Sequence, residues 1–291
     1  MKIFRNKIEL DNHLGEIRKK GQEIGLIPTM GSIHKGHKSL VEKCIEANFF
    51  SLATIYINPT QFDNKSDFEN YPCDEKKDIF ELEKIQCDAL FFPSKEDMYP
   101  NGLKSQKEIL DYRDILCDKF RPGHFDGVTT VVKALFDITL PDHAYFGEKD
   151  FQQLKLIEKL VQKNALPIVI HACPSIRLKN GISYSSRFKN FSTHEKKILD
   201  NAAKFIYEHL IELKHNVTSL IIDKLKKSLL EVGVNKIDYL EVRNEKELSF
   251  PSLYEKSRLF VAFYIGDIRV IDNFALHHNK KNNAFNDRPI N

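Results

Sequence analysis

The stretch that decides the fold is IGLIPTMGSIHKGHKSLVEKCIEANFF, residues 24–50. Its first part, IGLIPT (24–29), is a short apolar run that is typical of a buried strand. After a turn, the pattern of residues 37–50 predicts a helix, because the spacing puts on one face Leu40, Val41, Cys44 and Ile45. The stretch therefore predicts a strand, a turn that contains two histidines, and a helix.

The same alternation of strands and helices continues through the first two-thirds of the chain. Helical patterns follow at 74–85, at 127–140 with Asp126 as predicted N-cap, and after Asp150, which could cap the next helix. Apolar strands separated by such helices indicate an α/β fold, a parallel sheet with helices on both faces, in which ligands bind at the carboxyl ends of the strands. Further strands are predicted at 51–57, 88–93, 143–146 and 167–173.

The pattern of helices and strands changes after about residue 190. Lys/Glu-rich helical patterns come first, and strands follow at 236–244, 258–266 and 268–272, which indicates a smaller α+β domain. The residues from 274 to 291 are rich in Asn and Lys and show no periodicity, so we expect a disordered tail in which His277 and His278 have no role. The predicted domains are 1–174, 175–273 and the tail 274–291.

Composition limits the class of protein. The 291 residues carry a formal net charge of +3, which argues mildly against a nucleic-acid partner. The five cysteines are an odd number without a CxxC pair, which fits free thiols in a reducing compartment. We find no signal-peptide pattern and no apolar run near the roughly 20 residues that span a bilayer. We therefore expect a cytoplasmic protein without membrane contact.

The turn between the first strand and its helix offers the clearest chemistry. His34 and His37 lie beside a helix N-terminus, where backbone N–H groups and the helix dipole favour an anion such as phosphate. Gly36 would let the backbone approach a ligand closely. A metal site is less well supported, because no Cys, Asp or Glu in the turn completes a ligand shell. Two exposed loop histidines are the ordinary alternative.

Other polar groups follow predicted strands or lie in loops. Amides suit a small polar ligand, and cations suit carboxylates or phosphates, although a capped turn, a surface ion pair or a plain polar loop would explain each group equally well. The candidates are the amides Asn58, Gln61 and Gln153, the cations Arg121 and Lys149, the carboxylate Asp150, and the loop residues Ser185, Ser186 and Arg187.

Taken together, these segments resemble the pantoate–β-alanine ligase (pantothenate synthetase) family, within the HxGH nucleotidyltransferases. The family patterns appear as PTMGSIHKGHKSL (28–40), NPTQF (58–62), RPGHFDGVTTVVKALF (121–136) and AYFGEKDFQQ (144–153). The serine-arginine loop appears as SYSSRFKNFS (183–192), and the closing motif as GDIRVIDN (266–273). The resemblance thus covers residues 28 to 273 in order.

The resemblance implies a cytosolic homodimer with a Rossmann-like nucleotidyltransferase domain and a small C-terminal lid domain. It implies a ligase that uses ATP and Mg²⁺ to join (R)-pantoate to β-alanine, through pantoyl adenylate, with release of pyrophosphate and AMP. The small-molecule partners implied are pantoate, β-alanine and ATP.

The resemblance also assigns residues. His34 and His37 would contact the ATP phosphates, with His37 as proton donor, and Lys149 would face the same phosphates. Gln61 would contact pantoate and β-alanine, and Gln153 would hold pantoate, with Asn58 and Arg121 as further candidates. The implied ATP-binding residues are Met30, Gly31, Ser32, Ile33, His34, Lys35, Gly36, His37, Gly147, Glu148, Lys149, Asp150, Ile176, Tyr184, Ser185, Ser186 and Arg187.

Three positions depart from the family pattern. Cys73 replaces an arginine after Tyr-Pro, Tyr184 replaces a methionine before Ser185, and residues 179–181 replace an acidic turn. Because the two serines and Arg187 remain, we expect the chemistry to survive. The rival hypotheses are a related enzyme such as a phosphopantetheine adenylyltransferase, which NPTQF and FGEKDFQQ disfavour, and a non-catalytic nucleotide- or RNA-binding module, which the near-neutral charge disfavours.

Overall fold

The computed structural model describes residues 1–62, 68–69, 71–215, 217–251 and 255–276. The chain divides into two compact units. The first unit comprises Met1–Arg113 and Arg121–Cys173, and the second comprises Asp114–Phe120 together with the chain from Pro174 onward. A short piece of the first half of the sequence thus belongs to the second unit, a division that the sequence patterns do not indicate.

The first unit is built on a six-stranded sheet in which all neighbouring strands run parallel. Its central strands are buried along most of their length, because helices cover a parallel sheet on both faces. The strand order is β1-β4-β3-β2-β5-β6. The strands are β1 (Lys2–Phe4), β2 (Ile24–Thr29), β3 (Phe50–Ile55), β4 (Ala89–Phe91), β5 (His143–Gly147) and β6 (Val169–Cys173).

Helices connect these strands, and their apolar faces complete the core of the first unit. Val41 and Cys44 on the helix after β2, for example, are fully buried in one cluster with Ile27 and Leu90 of the sheet. The helices of this unit are α1 (Lys7–Lys19), α2 (Lys35–Glu46), α3 (Glu75–Lys84), α4 (Lys95–Met98), α6 (His124–Thr139) and α7 (Phe151–Lys163), and short 3-10 turns lie at Pro59–Gln61 and Glu148–Asp150.

The strand order reverses beside β2, which locates the crevice of the sheet. From β2 the chain moves to β3 and β4 on one side, and β5 and β6 lie on the other side. The register pairs Thr29 with Ile55 and Leu26 with Ala144, so the carboxyl ends of β3, β2 and β5 lie along the same edge of the sheet. Ligands of open α/β sheets bind outside the carboxyl ends of the strands at such a reversal. The segments that leave β3, β2 and β5 therefore emerge side by side there.

The second unit contains a three-stranded antiparallel sheet, in the order β7-β8-β9, and helices that share one apolar core with it. Fully buried residues of that core include Ala202, Leu225 and Phe263. The predicted α+β class is confirmed. The elements are α5 (Leu116–Phe120), a 3-10 turn at Ser186–Asn190, α8 (Thr193–His215), α9 (Ser219–Glu231), β7 (Lys236–Asn244), β8 (Ser257–Ile265) and β9 (Ile268–Ala275).

Some local predictions were wrong. Asp126 does not cap α6, which begins at His124 after Gly123 in a left-handed conformation (φ +82°); Asp126 instead forms an ion pair with Arg113. Asp150 occupies the N-cap position of α7, but its side chain makes no capping hydrogen bond there.

The predicted tail begins too early. Phe274 and Ala275 pair with β8 as the end of β9, and Leu276 is buried, so these residues belong to the folded chain. The rest of the predicted tail, from 277 to 291 and including His277 and His278, lies outside the described residues. Within the described residues, no helix combines the length and the apolar character needed to cross a membrane.

Candidate functional site

The turn after β2 has a backbone that few residues adopt. Gly31 (φ +83°) and Ser32 (φ 52°) are both left-handed, a region in which a glycine carries no steric penalty. A Cβ atom on Gly31 would also stand 2.9 Å from Oδ2 of Asp78 and 3.3 Å from Cγ2 of Ile55. The glycine of the PTMG motif is therefore required by both conformation and space.

Asp78, on α3, holds this turn in place. Its Oδ2 accepts a hydrogen bond from the N–H of Ser32 (2.8 Å), and its Oδ1 accepts one from the N–H of Ile33 (2.7 Å). The residue is only 2% exposed, and burial raises the pKa of its carboxyl, while the two backbone hydrogen bonds oppose that shift. Sequence reasoning missed Asp78, because in DEKKDIFELEKI it resembles one more solvated charge on a helix.

His34 is the N-cap of α2, which fixes one of its ring nitrogens. Its Nδ1 accepts a hydrogen bond from the N–H of Gly36 (3.1 Å), so in the neutral ring the hydrogen lies on Nε2. A Cβ atom on Gly36 would stand 2.9 Å from Cε1 of His34. The glycine between the histidines therefore makes room for the His34 ring, a role additional to the close backbone approach predicted for it.

His37 lies one helical turn further, stacked on His34 with ring centroids 3.9 Å apart and an interplanar angle of 14°. Its Nδ1 is buried and has no hydrogen-bond partner among the described residues. Burial and, secondarily, the nearby charge of Lys149 lower the pKa of His37 to about 4, and Asp150 partly opposes them. At neutral pH His37 is therefore a neutral imidazole.

The end of β5 supplies the positive charge near these rings. Lys149 lies in the 3-10 turn Glu148–Asp150 directly after Gly147, and it is close enough to His37 to lower its pKa. Gln153 follows in the first turn of α7 and is partly exposed, whereas its neighbour Gln152 is buried and donates to the carbonyl of Tyr112 (3.0 Å). Of the two adjacent glutamines, Gln153 is the one that solvent reaches.

Asn58, after β3, supports the site from within the protein. It is fully buried. Its Nδ2 donates to Oε1 of Gln61 (3.1 Å) and to the carbonyl of Gly127 (3.0 Å). Its Oδ1 accepts from Tyr99 (2.6 Å) and from the backbone and hydroxyl of Thr60 (3.3 and 3.0 Å). Because the amide is saturated by protein groups, Asn58 orients Gln61 here, whereas the sequence suggested a direct ligand contact.

Gln61 is held through both its side chain and its backbone carbonyl. Its side-chain Nε2 donates to the sulfur of Met30 (2.7 Å), which ties the segment after β3 to the turn after β2. Its backbone carbonyl accepts from Nη2 of Arg121 (3.2 Å) and lies 2.7 Å from Nδ1 of His124. Arg121, predicted as a carboxylate or phosphate partner, thus contacts the Gln61 backbone, and His124 is a further supporting residue that the sequence reasoning did not single out.

The predicted site residues from Ile176 onward lie in the second unit. Ile176 and Tyr184 are joined by a backbone hydrogen bond from the Tyr184 N–H to the Ile176 carbonyl (2.8 Å). Ser185 caps the 3-10 turn Ser186–Asn190, since its hydroxyl accepts from the N–H of Arg187 (3.4 Å). The two serines and the arginine therefore form one compact polar segment. Of the departures from the family pattern, Cys73 is exposed, and Gly181 forms the tip of the preceding turn (φ +88°).

The first unit thus brings together two imidazoles, a helix N-terminus and a lysine beside a reversal of strand order. Such a set can bind an oligophosphate and stabilise charge that develops on it, because N–H donors and cations act more strongly where water is excluded. The amides of Gln61 and Gln153 suit a small polar ligand.

Comparison with known proteins agrees with this chemistry. Residues 2–275 match the family model described as pantoate-beta-alanine ligase. A pantothenate synthetase of Sulfurihydrogenibium sp. is 37% identical over 277 residues, which cover 94% of this chain and 99% of that protein. The structure of the pantothenate synthetase of Thermus thermophilus is similar with a TM-score of 0.87 at 30% identity, covering 96% of this chain and 100% of that one. The pantoate-beta-alanine ligase of Francisella tularensis, complexed with beta-gamma ATP and beta-alanine, gives 0.82 at 35% identity over 95% and 98%.

Proposed function

The chain belongs to the pantoate–β-alanine ligase family, and on that premise we propose that it joins (R)-pantoate to β-alanine at the expense of ATP. A carboxylate oxygen of pantoate attacks the α-phosphorus of ATP, and the bond from that phosphorus to the pyrophosphate oxygen breaks. The amine of β-alanine then attacks the acyl carbon of the adenylate, AMP leaves, and the amide forms with loss of a proton. The family resemblance further implies a cytoplasmic homodimer.

The observation that carries the proposal is the stacked pair of His34 and His37 at the start of α2, with Lys149 close to His37. Charge grows on the phosphate oxygens as the carboxylate attacks, and hydrogen-bond donors and a cation that are already in place stabilise it without reorganisation. His34 would donate from Nε2, because Nδ1 is held by Gly36.

His37 is the proposed proton donor, and its environment sets the conditions for that role. With a pKa lowered to about 4, the ring is neutral before ATP binds and offers a single N–H. Anionic phosphates beside the ring would raise its pKa again, since a negative charge favours the imidazolium. His37 would thus take up a proton from solvent as the nucleotide binds and donate it to the departing pyrophosphate.

The acid and the amine would occupy the side of the site that Gln61 and Gln153 define. Gln61 is held by Asn58 and Met30 through its side chain and by Arg121 through its backbone, so its amide is oriented before the substrate arrives. A pre-oriented neutral amide binds a small hydroxy acid without the desolvation cost of a buried charge.

Mg²⁺ fits this site as a partner of the ATP phosphates. Mg²⁺ in nucleotide sites is held by phosphate oxygens, water and one or two carboxylates. The described residues contain no cluster of three or more His, Cys, Asp or Glu that could hold a metal. Asp150, exposed and close enough to act on His37, is the carboxylate that could contribute one ligand. The bound ion would neutralise phosphate charge.

We further propose that Ile176 and the segment Tyr184–Arg187 contribute to ATP binding.

The test is a nucleotide analysis of the full reaction. Protein with ATP, Mg²⁺, pantoate and β-alanine should release AMP and pyrophosphate in equal amounts. Without β-alanine, labelled pyrophosphate should exchange into ATP only when pantoate is present, because the adenylate forms first. Release of ADP, or activity only when phosphopantetheine replaces pantoate, would contradict the proposal, and the second result would favour the related adenylyltransferase.

A further inference from the structure

Asp272, on β9, is a buried carboxylate that receives hydrogen bonds from four donors. Its Oδ1 accepts from the hydroxyl of Ser183 (2.6 Å) and from the N–H of Asn273 (2.8 Å). Its Oδ2 accepts from the N–H of Ser183 (2.7 Å) and from Nη1 of Arg177 (3.0 Å). Three of these donors belong to residues 177–183, the segment that leads directly into Tyr184–Arg187.

Arg177 extends the same connection to the tip of that segment. Its Nη1 also donates to the carbonyl of Gly181 and its Nη2 to the carbonyl of Asn273, each at 2.9 Å, and its guanidinium lies 4.7 Å from the ring centroid of Phe274. Arg177 and Ser183 also face each other as an antiparallel bridge. Residues 177–183 therefore form a closed turn whose two ends are both fastened to β9.

The burial of this ion pair indicates what it does. The side chains of Arg177 and Asp272 are 4% and 0% exposed. Desolvation of two charges offsets much of their attraction, so that apolar residues of similar volume are often as stabilising in such places. What the charged pair offers beyond stability is directional hydrogen bonding, which fixes where Ser183 lies. Ser185, two residues further, caps the turn that contains Arg187.

From these contacts we infer that Asp272 is a positioning residue for the segment Tyr184–Arg187. It acts through Ser183 and Arg177 on the groups that bind ATP, and it does not touch the nucleotide. The aspartate of the closing motif GDIRVIDN thereby acquires a function in nucleotide binding. The inference rests on the proposed role of Tyr184–Arg187 in binding ATP.

The experiment measures MgATP binding by titration calorimetry on the full chain, without turnover. Ser183→Ala removes the hydroxyl that donates to Asp272 and leaves the ion pair intact. Because that hydrogen bond is made to a charged group, the Kd for MgATP should rise by about tenfold. In a separate steady-state assay, the KM for β-alanine should stay unchanged, because the proposed contact for β-alanine, Gln61, belongs to the first unit.

Thr218→Ala is the matched control, because it removes a different hydroxyl, the N-cap of α9, from the same unit. It should lower stability by a similar amount and leave the Kd for MgATP unchanged. Asp272→Asn should raise that Kd further than Ser183→Ala does, and if Asp272→Asn fails to fold, Ser183→Ala decides alone.

The inference is overturned if Ser183→Ala behaves as Thr218→Ala does, with lower stability and unchanged MgATP binding. A failure of the proposed reaction looks different. In that case no AMP is formed, while MgATP binding by the wild-type chain and its weakening by Ser183→Ala can still be measured.

Discussion

Gly127, in the RPGHFDGV motif, offers a decisive substitution, because α6 crosses the turn Pro59–Gln61 at this residue. A Cβ atom on Gly127 would stand 2.6 Å from the carbonyl oxygen of Thr60 and 2.8 Å from its Oγ1. An ordinary contact begins near 3.4 Å, so in Gly127→Ala the two segments must separate by about 3.4 − 2.6 = 0.8 Å. The obstacle is backbone, which cannot move aside as a flexible side chain would.

The magnitude follows from two opposing effects. Overpacking of this kind lowers the free energy of unfolding by about 1–3 kcal/mol. Replacing a helical glycine by alanine raises it by about 0.5–1 kcal/mol. We therefore expect the free energy of unfolding of Gly127→Ala to fall by about 0.5–2 kcal/mol. Gln61 lies in the displaced turn, and a displacement near 1 Å can cost about 10²-fold in rate, so kcat/KM for pantoate should fall about 10- to 100-fold.

Gly15→Ala is the matched control, since Gly15 also lies within a helix, α1, and a Cβ atom there would have nothing within 4 Å. The free energy of unfolding of this variant should rise by about 0.5–1 kcal/mol, and its activity should stay unchanged. Urea unfolding and a pantoate titration with AMP detection on both variants decide the matter. If Gly127→Ala proves as stable and as active as Gly15→Ala, then the close approach of α6 to Thr60 does not position Gln61.

The remaining predictions concern the phosphate side of the first unit. Lys149→Ala and His34→Ala should each slow pyrophosphate exchange by about 10²–10³, because each removes a group that stabilises phosphate charge, and unchanged exchange would refute the assignments. The folded state keeps His37 neutral down to a pKa of about 4 while the unfolded chain takes up a proton near 6.5, so stability present above pH 6.5 is lost as the pH falls. Between pH 7 and pH 4.5, the free energy of unfolding measured in urea should fall by about 2–3 kcal/mol less in His37→Gln than in the wild type. An equal fall in both proteins would contradict this prediction. Asp78→Asn should lower stability by about 1.5–3 kcal/mol and raise the KM for ATP, since one amide oxygen cannot replace two carboxylate acceptors; unfolding and ATP titrations that match the wild type would rule out its role.

The strands and motifs that the sequence could predict are those with a local signal. β2 and β7 have the bounds that the sequence predicts. For β2 the local signal is a continuous apolar run, as expected of a buried parallel strand, whereas in β7 apolar residues are interspersed with charged ones. β1 was not predicted, since Lys2–Phe4 is a three-residue strand that is defined by its pairing with β4. Pairing with a strand more than eighty residues away leaves no local pattern.

The site shows the same division between local and distant causes. The spacing of His34 and His37 and the place of Lys149 after a strand are visible in the sequence, and the structure brings the three residues close together. The ion pair between Arg113 and Asp126 could not be predicted from the sequence. The hydrogen bond from the turn after β2 to Asp78 could not be predicted either, because both contacts join residues that are separated in the sequence. Residues of the proposed site are thus easier to find from sequence than the residues that orient them.

The assignment of Asp114–Phe120 to the second unit has a consequence for dissecting this protein. Cys117 lies 3.4 Å from the hydroxyl of Tyr239 and accepts from Nη1 of Arg269 (3.3 Å), and the ring of Phe120 lies 6.0 Å from that of Tyr239. A fragment cut at residue 174 would lack α5 and leave this buried tyrosine without its cover. The chain passes between the units at three places, after residues 113, 120 and 173. The two units therefore cannot be separated, exchanged between homologues or transferred in evolution by a single cut in the sequence.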